Sequence, residues 1–265
     1  MITFLSFIYG ASLGSFANLV ADRLRVRTIF KSRSVCLNCS KKLSWYELVP
    51  VLSYLSQNGK CRTCKTKIST IYFWSELATG LLVAFLPTVI MSSLDIYSSP
   101  AALYYAIFLF LILSTTIALC MAIAIYDLRH MIVPFETAMI LMGIGMMATI
   151  ARQYMYGFNV YDFFSGVIVA TPFTLMYIVS RGKWVGMGDV MMYAALGFAL
   201  GLPTSSTGFF YSVWIGAFVS LALMILHKRE YNLKSEIPFT PFIIIGAMLA
   251  LYTHADILGL YDILY

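Results

Sequence analysis

The chain has 265 residues, 60% of them hydrophobic and 11% charged, with a net charge of +6 and a mean hydropathy of +0.83. Soluble domains carry roughly 45–50% apolar residues, so this composition excludes an ordinary water-soluble fold and points to a membrane protein. The positive charge does not argue for nucleic acid, because it gathers at the ends of apolar stretches, where it reports topology and contact with anionic lipid headgroups.

A helix needs about 20 mostly apolar residues to cross roughly 30 Å of hydrocarbon. Stretches of that kind centre on 2–21, 72–92, 101–126, 135–151, 160–180, 190–202, 207–227 and 237–254. They predict an all-α polytopic fold with about eight transmembrane helices. The first run has no basic segment before it, its first arginine being Arg23, and reads as a retained anchor rather than a cleaved signal. The sixth, 190–202, is too short to span by itself and either continues through Gly201 to Ser206 or stops inside a cavity lined by other helices. With the N-terminus outside, the segments 22–71, 127–134, 181–189 and 228–236 fall inside and hold 11, 1, 2 and 3 basic residues, 17 of the 18 in the chain. Only Arg152 is left outside, so the positive-inside rule selects this orientation.

One polar stretch breaks the pattern between the first two spans, giving a division into a first helix over 1–21, a cytoplasmic insert over 22–71 and a membrane body over 72–265. The insert carries Cys36 and Cys39, then, well separated from them in the same loop, Cys61 and Cys64. Two C-x2-C knuckles predict a four-thiolate zinc site. Disulfides are the alternative, disfavoured because the charge count puts the loop on the reducing side. A segment this poor in apolar residues needs such a staple to fold. Cys120 lies in the third span as a small packing residue.

Ionisable residues within or at the ends of spans are costly in lipid and are functional candidates. Asp127 ends the third span, Asp189 opens the sixth in the run GMGD, and Glu76 lies about one turn into the second. Gly186 and Gly188 allow close approaches beside Asp189, whose place in a first helical turn suits a negative charge. Taken singly, Asp189 could be part of an ordinary helix start, and Asp127 a helix-end acid paired with Arg129. Together they share a membrane depth that the basic residues fix independently. Two carboxylates brought close share one proton, the arrangement by which one activates water while the other polarises a scissile carbonyl. His130 is nearby, but His227 and His254 fall at opposite ends of the last two spans and offer no competing serine-type triad.

These residues resemble the type IV prepilin leader peptidases that also act as N-methyltransferases. The likeness runs from Gly10 to Gly246 through Gly14, Ser15, Phe16 and Asn18, the four-cysteine loop, Asp127 with Pro134 seven residues on, the G-x-G-D run at 186–189, and IPFTPF at 237–242. It implies aspartic peptidase activity by Asp127 and Asp189 on prepilin or pseudopilin precursors at the bacterial inner membrane. It also implies methylation of the new N-terminus from S-adenosylmethionine, with Gly59 and Lys60 contributing to that step. Trp45, Tyr46 and Tyr54 are candidates to stack on the adenosine or, equally, to pack within the loop. The chain departs from the family at Arg25, Arg129, Met191 and Thr240, where proline, an acid, lysine and glycine are common. Two other readings use the same residues: a proton-coupled transporter relaying through both aspartates, and a non-catalytic assembly factor binding partners through its zinc loop.

Overall fold

A computed structural model describes residues 1–24, 34–36, 38–94, 99–226 and 237–261. Arg25 with the rest of 25–33, Leu37, His227 and the basic run 228–236 lie outside the described residues. The described residues form ten α-helices, with two isolated β-bridges as their only extended pairing. The chain divides into two compact units, 1–125 and 126–265.

The first unit holds α1 (Ile2–Arg23), the short α2 (Leu52–Ser56), α3 (Thr70–Ser93) and most of α4 (Pro100–His130). Without a hydrophobic driving force between helices in lipid, packing depends on small residues and polar bridges. Gly10 and Gly14, one turn apart on α1, provide both closeness and register against α3. A Cβ on Gly10 would sit 2.5 Å from Val83 Cβ, and one on Gly14 would sit 2.9 Å from Glu76 Cα. One turn further on, the Asn18 side-chain amide donates to Ser75 Oγ at 2.7 Å.

The second unit contains α5 (Phe135–Tyr156), α6 (Val160–Phe163), α7 (Ser165–Ser180), α8 (Met187–Leu200), α9 (Leu202–Leu226) and α10 (Thr240–Thr253). Helix α8 is its centre, packed against α5, α7, α9 and α10. Its glycines and alanines permit this: Gly197 lies so close to α7 that a Cβ would come within 2.6 Å of Gly166 Cα.

Helices α1, α3, α4, α5 and α9 are long and apolar enough to span, and α7, α8 and α10 are shorter apolar helices. These eight fall on the eight expected stretches, with two local differences. The fifth stretch is divided at Phe164 into α6 and α7. The sixth stops at Leu200, Gly201 turns at a φ of 81°, and the next helix starts at Leu202 rather than near 207. The polar run from Thr204 to Thr207 masks that start in the sequence. The two serines of the run find backbone acceptors, Ser205 on the Gly201 carbonyl and Ser206 on the Pro203 carbonyl at 2.9 Å, so they cost little in an apolar setting.

A 14-residue helix such as α8 is roughly 21 Å long, short of the ~30 Å of hydrocarbon. Its last carbonyls must therefore be satisfied inside the protein. Arg152 does this: its guanidinium donates to the Phe198 and Ala199 carbonyls, each at 2.9 Å. Thr149 Oγ1 adds a bond to the Phe198 carbonyl at 2.7 Å, and Ser165 Oγ one to the Gly197 carbonyl at 2.9 Å. Asp162, 1% exposed, takes Arg152 Nε at 3.1 Å and the Gln153 amide at 3.1 Å, and also accepts the Leu202 N–H that opens α9 at 3.2 Å. Arg152 thus clamps the end of the helix that carries Asp189 in its first turn.

Candidate active site and metal centre

Asp127 lies in the last turn of α4. The helix closes immediately afterwards, where Met131, in the left-handed region at a φ of 53°, donates its N–H to the Asp127 carbonyl at 2.7 Å. The following residues reach Val133, and this is where α8 starts. Gly186 precedes α8 in extended conformation and accepts the Asp189 N–H at 3.2 Å, placing Asp189 in the first turn. Gly188 has an ordinary helical backbone; what it supplies is space. A Cβ there would meet Val133 Cβ at 2.5 Å and Val133 Cγ2 at 2.8 Å. The glycine lets the start of α8 press onto the segment that ends α4, and so brings the two acids together. Gly186 has no such constraint, since the nearest atom to a Cβ on it would be Asp189 Oδ2, at 3.6 Å.

The two carboxylates lie close enough for their charges to interact. Asp127 is 5% exposed and Asp189 half-buried. Beside Asp127 stands Thr240, the first residue of α10, with its hydroxyl and backbone N–H both near the carboxylate. In the sequence Thr240 stands out only as a departure from a family pattern, with nothing to place it at the acids. The ring of His130 packs on Tyr126, with centroids 4.5 Å apart, at the exposed end of α4. Glu76, the third acid singled out, belongs to the first unit, where its carboxylate accepts the Val51 N–H at 2.7 Å and ties the insert to α3.

The four insert cysteines converge: all four sulfurs lie within 4.8 Å of one another, and none is in a disulfide. The Cys36 and Cys64 sulfurs are 3.8 Å apart. Four thiolates around a tetrahedral zinc at about 2.3 Å are separated by roughly 3.8 Å, so the donor set fits that metal. The two knuckles repeat one backbone pattern. Cys36 N donates to the Lys41 carbonyl and Cys61 N to the Thr66 carbonyl, both at 2.9 Å; Ser40 N and Lys65 N return to the Cys36 and Cys61 carbonyls at 2.9 and 3.0 Å. Ser40 and Lys65 have matching positive φ, 54° and 58°. The Asn38 amide donates to Thr66 Oγ1 at 2.8 Å, joining the knuckles, and Thr66 Oγ1 lies 3.3 Å from Cys64 Sγ. Bonds from the Thr66 side chain and backbone lower the pKa of the Cys64 thiol, favouring the thiolate form that binds metal.

Gly59 and Lys60 stand at the entry to the second knuckle, Gly59 at a φ of 64° and Lys60 exposed in a bridge with Lys67. Tyr54 is occupied by packing: its ring lies 5.3 Å from that of Phe73, and a Cβ on Gly59 would strike its hydroxyl at 2.7 Å. Arg62 covers the Tyr46 ring at 4.9 Å, whereas Trp45 is 79% exposed. Of the three aromatics suggested as stacking platforms, Trp45 is the most open.

Residues 8–90 match the bacterial peptidase A24 N-terminal domain, and residues 114–221 match the type IV leader peptidase family. The chain is 30% identical over 257 residues to the prepilin leader peptidase/N-methyltransferase of Bacillus subtilis, covering 94% of this chain and 93% of the relative. The enzyme of the same name from Vibrio cholerae is 31% identical over 72% of this chain and 74% of its own length. The type 4 prepilin-like proteins leader peptide-processing enzyme of an Escherichia coli strain is 31% identical, covering 84% and 76%. No solved structure matches the chain. With two acids on abutting helix ends, a four-cysteine insert and these relatives along nearly its whole length, the chain belongs to the type IV leader peptidase family.

Proposed function

We propose that the protein cuts the basic leader from type IV prepilin-like precursors at the cytoplasmic face of the inner membrane, with Asp127 and Asp189 as an aspartate dyad. It then methylates the new N-terminus. The observation that carries this reading is the pairing of two carboxylates, one in the last turn of α4 and one in the first turn of α8, within reach of each other's charge.

Like charges this close favour one shared proton. The ionised carboxylate takes a proton from water as its oxygen attacks the scissile carbonyl carbon, and the protonated one gives its proton to the carbonyl oxygen. Collapse of the tetrahedral species breaks the C–N bond, and the departing amine takes a proton back from the dyad. The precursor's apolar segment lies among the spans while its basic leader stays inside. The orientation that places 17 of 18 basic residues inside puts both acids at that face.

Zinc held by Cys36, Cys39, Cys61 and Cys64 would order the insert, fixing the two knuckles to each other and holding the Gly59–Lys60 entry in place. S-adenosylmethionine supplies the methyl group when bound. The amine has an unperturbed pKa near 7.7–8.0, so holding it in position contributes more than a strong base.

The test is cleavage of a purified prepilin in detergent. Asp127→Asn and Asp189→Asn should each lose leader cleavage with insertion and yield unchanged. Wild-type cleavage by either variant would overturn the dyad.

A further inference from the structure

Two buried oxygens at the dyad have no hydrogen-bond partner. Among the described residues, the buried side-chain atoms in that state are Asn18 Oδ1, Thr116 Oγ1, Asp127 Oδ2, Thr240 Oγ1 and Asp256 Oδ1. Asp127 and Thr240 are neighbours, Thr240 turning its hydroxyl and backbone N–H toward the carboxylate, so two of these five orphans occupy one spot. Thr240 is fully buried at 0% exposure. Within helices a threonine can satisfy itself on the turn behind it, as Thr79 does on the Ser75 carbonyl at 2.7 Å and Thr253 on the Leu249 carbonyl at 2.7 Å. Thr240 is the first residue of α10 and has no earlier turn of its own helix to use.

Buried orphans of this kind are costly, and in native proteins they are met by water, which makes about three hydrogen bonds at such sites. Here the orphans are a hydroxyl and a carboxylate oxygen of the dyad, so a water between them is also the nucleophile. We propose that Thr240 is a further catalytic residue of this chain: its hydroxyl oxygen and Asp127 Oδ2 together hold and aim the attacking water. The proposal rests on the dyad reading. Asp127 Oδ2 accepts one hydrogen of the water and Thr240 Oγ1 accepts the other, leaving an oxygen lone pair free for the scissile carbonyl carbon. Thr240 exchanges no proton. The O–C bond forms as the Asp127 side takes its hydrogen, and the carbonyl oxygen is protonated from Asp189. Collapse then breaks the C–N bond and returns a proton to the amine.

The experiment compares Thr240→Val, which keeps the shape and loses the hydroxyl, with Thr240→Ser, which keeps the hydroxyl. Both are assayed in detergent with a purified prepilin beside Asp127→Asn and Asp189→Asn. Thr240→Val should lose about 10²-fold in kcat, the scale of a misplaced reacting group, with KM and the thermal midpoint unchanged; Thr240→Ser should recover most of the rate. If Thr240→Val does not fold, Thr240→Ala against Thr240→Ser carries the same comparison. A Val variant cleaving at the wild-type rate, a loss that appears in KM, or a Ser variant as impaired as Val would each overturn the role of Thr240. The aspartate variants separate the two readings. If they are inactive while Thr240→Val is normal, the dyad stands and the proposal for Thr240 falls; if they cleave normally, the dyad itself has failed.

Discussion

Replacing Arg152 with Met tests the idea that its clamp sets the position of Asp189 from the opposite end of α8. The change leaves the Asp162 carboxylate, 1% exposed, with only the Gln153 amide and the Leu202 N–H, and strips the Ala199 carbonyl of its guanidinium donor. Breaking one side of a buried ion pair costs about 3–5 kcal/mol. Arg152 keeps 14% of its side chain exposed, so the lower end applies, and ~3 kcal/mol corresponds to roughly a 150-fold change in the folding equilibrium. For a domain of this size it should lower the thermal midpoint in detergent by about 6–12 °C. Cleavage should fall as well, since α8 hangs from this clamp and a shift of about 1 Å at a reacting group can cost ~10²-fold in rate. Arg152→Lys should be intermediate, because an ammonium is a point charge and cannot span a carboxylate and two carbonyls at once. The double variant Arg152→Met with Asp162→Leu should regain much of the stability by removing the stranded charge. Thermal unfolding and prepilin cleavage on the same preparations check this. If Arg152→Met unfolds at the wild-type temperature and cleaves at the wild-type rate, the clamp does not position α8.

Gly188→Ala should keep zinc and membrane insertion but reduce cleavage by about 10²-fold, because the new methyl group meets Val133 at 2.5 Å and pushes the α8 start away from the end of α4; Gly186→Ala, which meets nothing closer than 3.6 Å, should be far milder. Elemental analysis of protein purified without chelators should find one zinc per chain, and Cys64→Ser should lose it. Removing the metal should raise protease sensitivity within the insert, which has little else to hold it together. Lys60→Ala should leave cleavage intact and lower methylation of the mature N-terminus, read by intact mass of the product pilin. An aspartate variant should still methylate a pilin supplied already cleaved, because the amine then exists without the dyad.

The parts of this molecule that are legible in its sequence are those that obey a period, a spacing or a charge count. Eight apolar stretches, 17 basic residues gathered in four of the segments between them and two C-x2-C pairs each constrain structure through a rule that needs no knowledge of tertiary contacts. The two acids stand out in the sequence because the expected topology sets Asp127 and Asp189 at one level before any packing is known. What stays hidden is whatever depends on which helix meets which. The start of α9 at Leu202 is obscured by hydroxyls that count as polar in the sequence and bond to their own helix in the fold. The role of Gly188 depends on Val133, far from it along the chain, and that of Arg152 on carbonyls at 198 and 199. Thr240 is the sharpest case, since a threonine in an apolar run has many harmless readings and gains meaning only beside Asp127. Both acids sit on helix ends whose positions are set elsewhere: Asp127 by the turn that closes α4 at Met131, Asp189 by the clamp that holds α8 at Phe198 and Ala199. A carboxylate pair requires placement within a fraction of an ångström at both members. The residues that decide whether such a pair works are therefore expected at the far ends and seams of its helices as much as beside the carboxylates themselves.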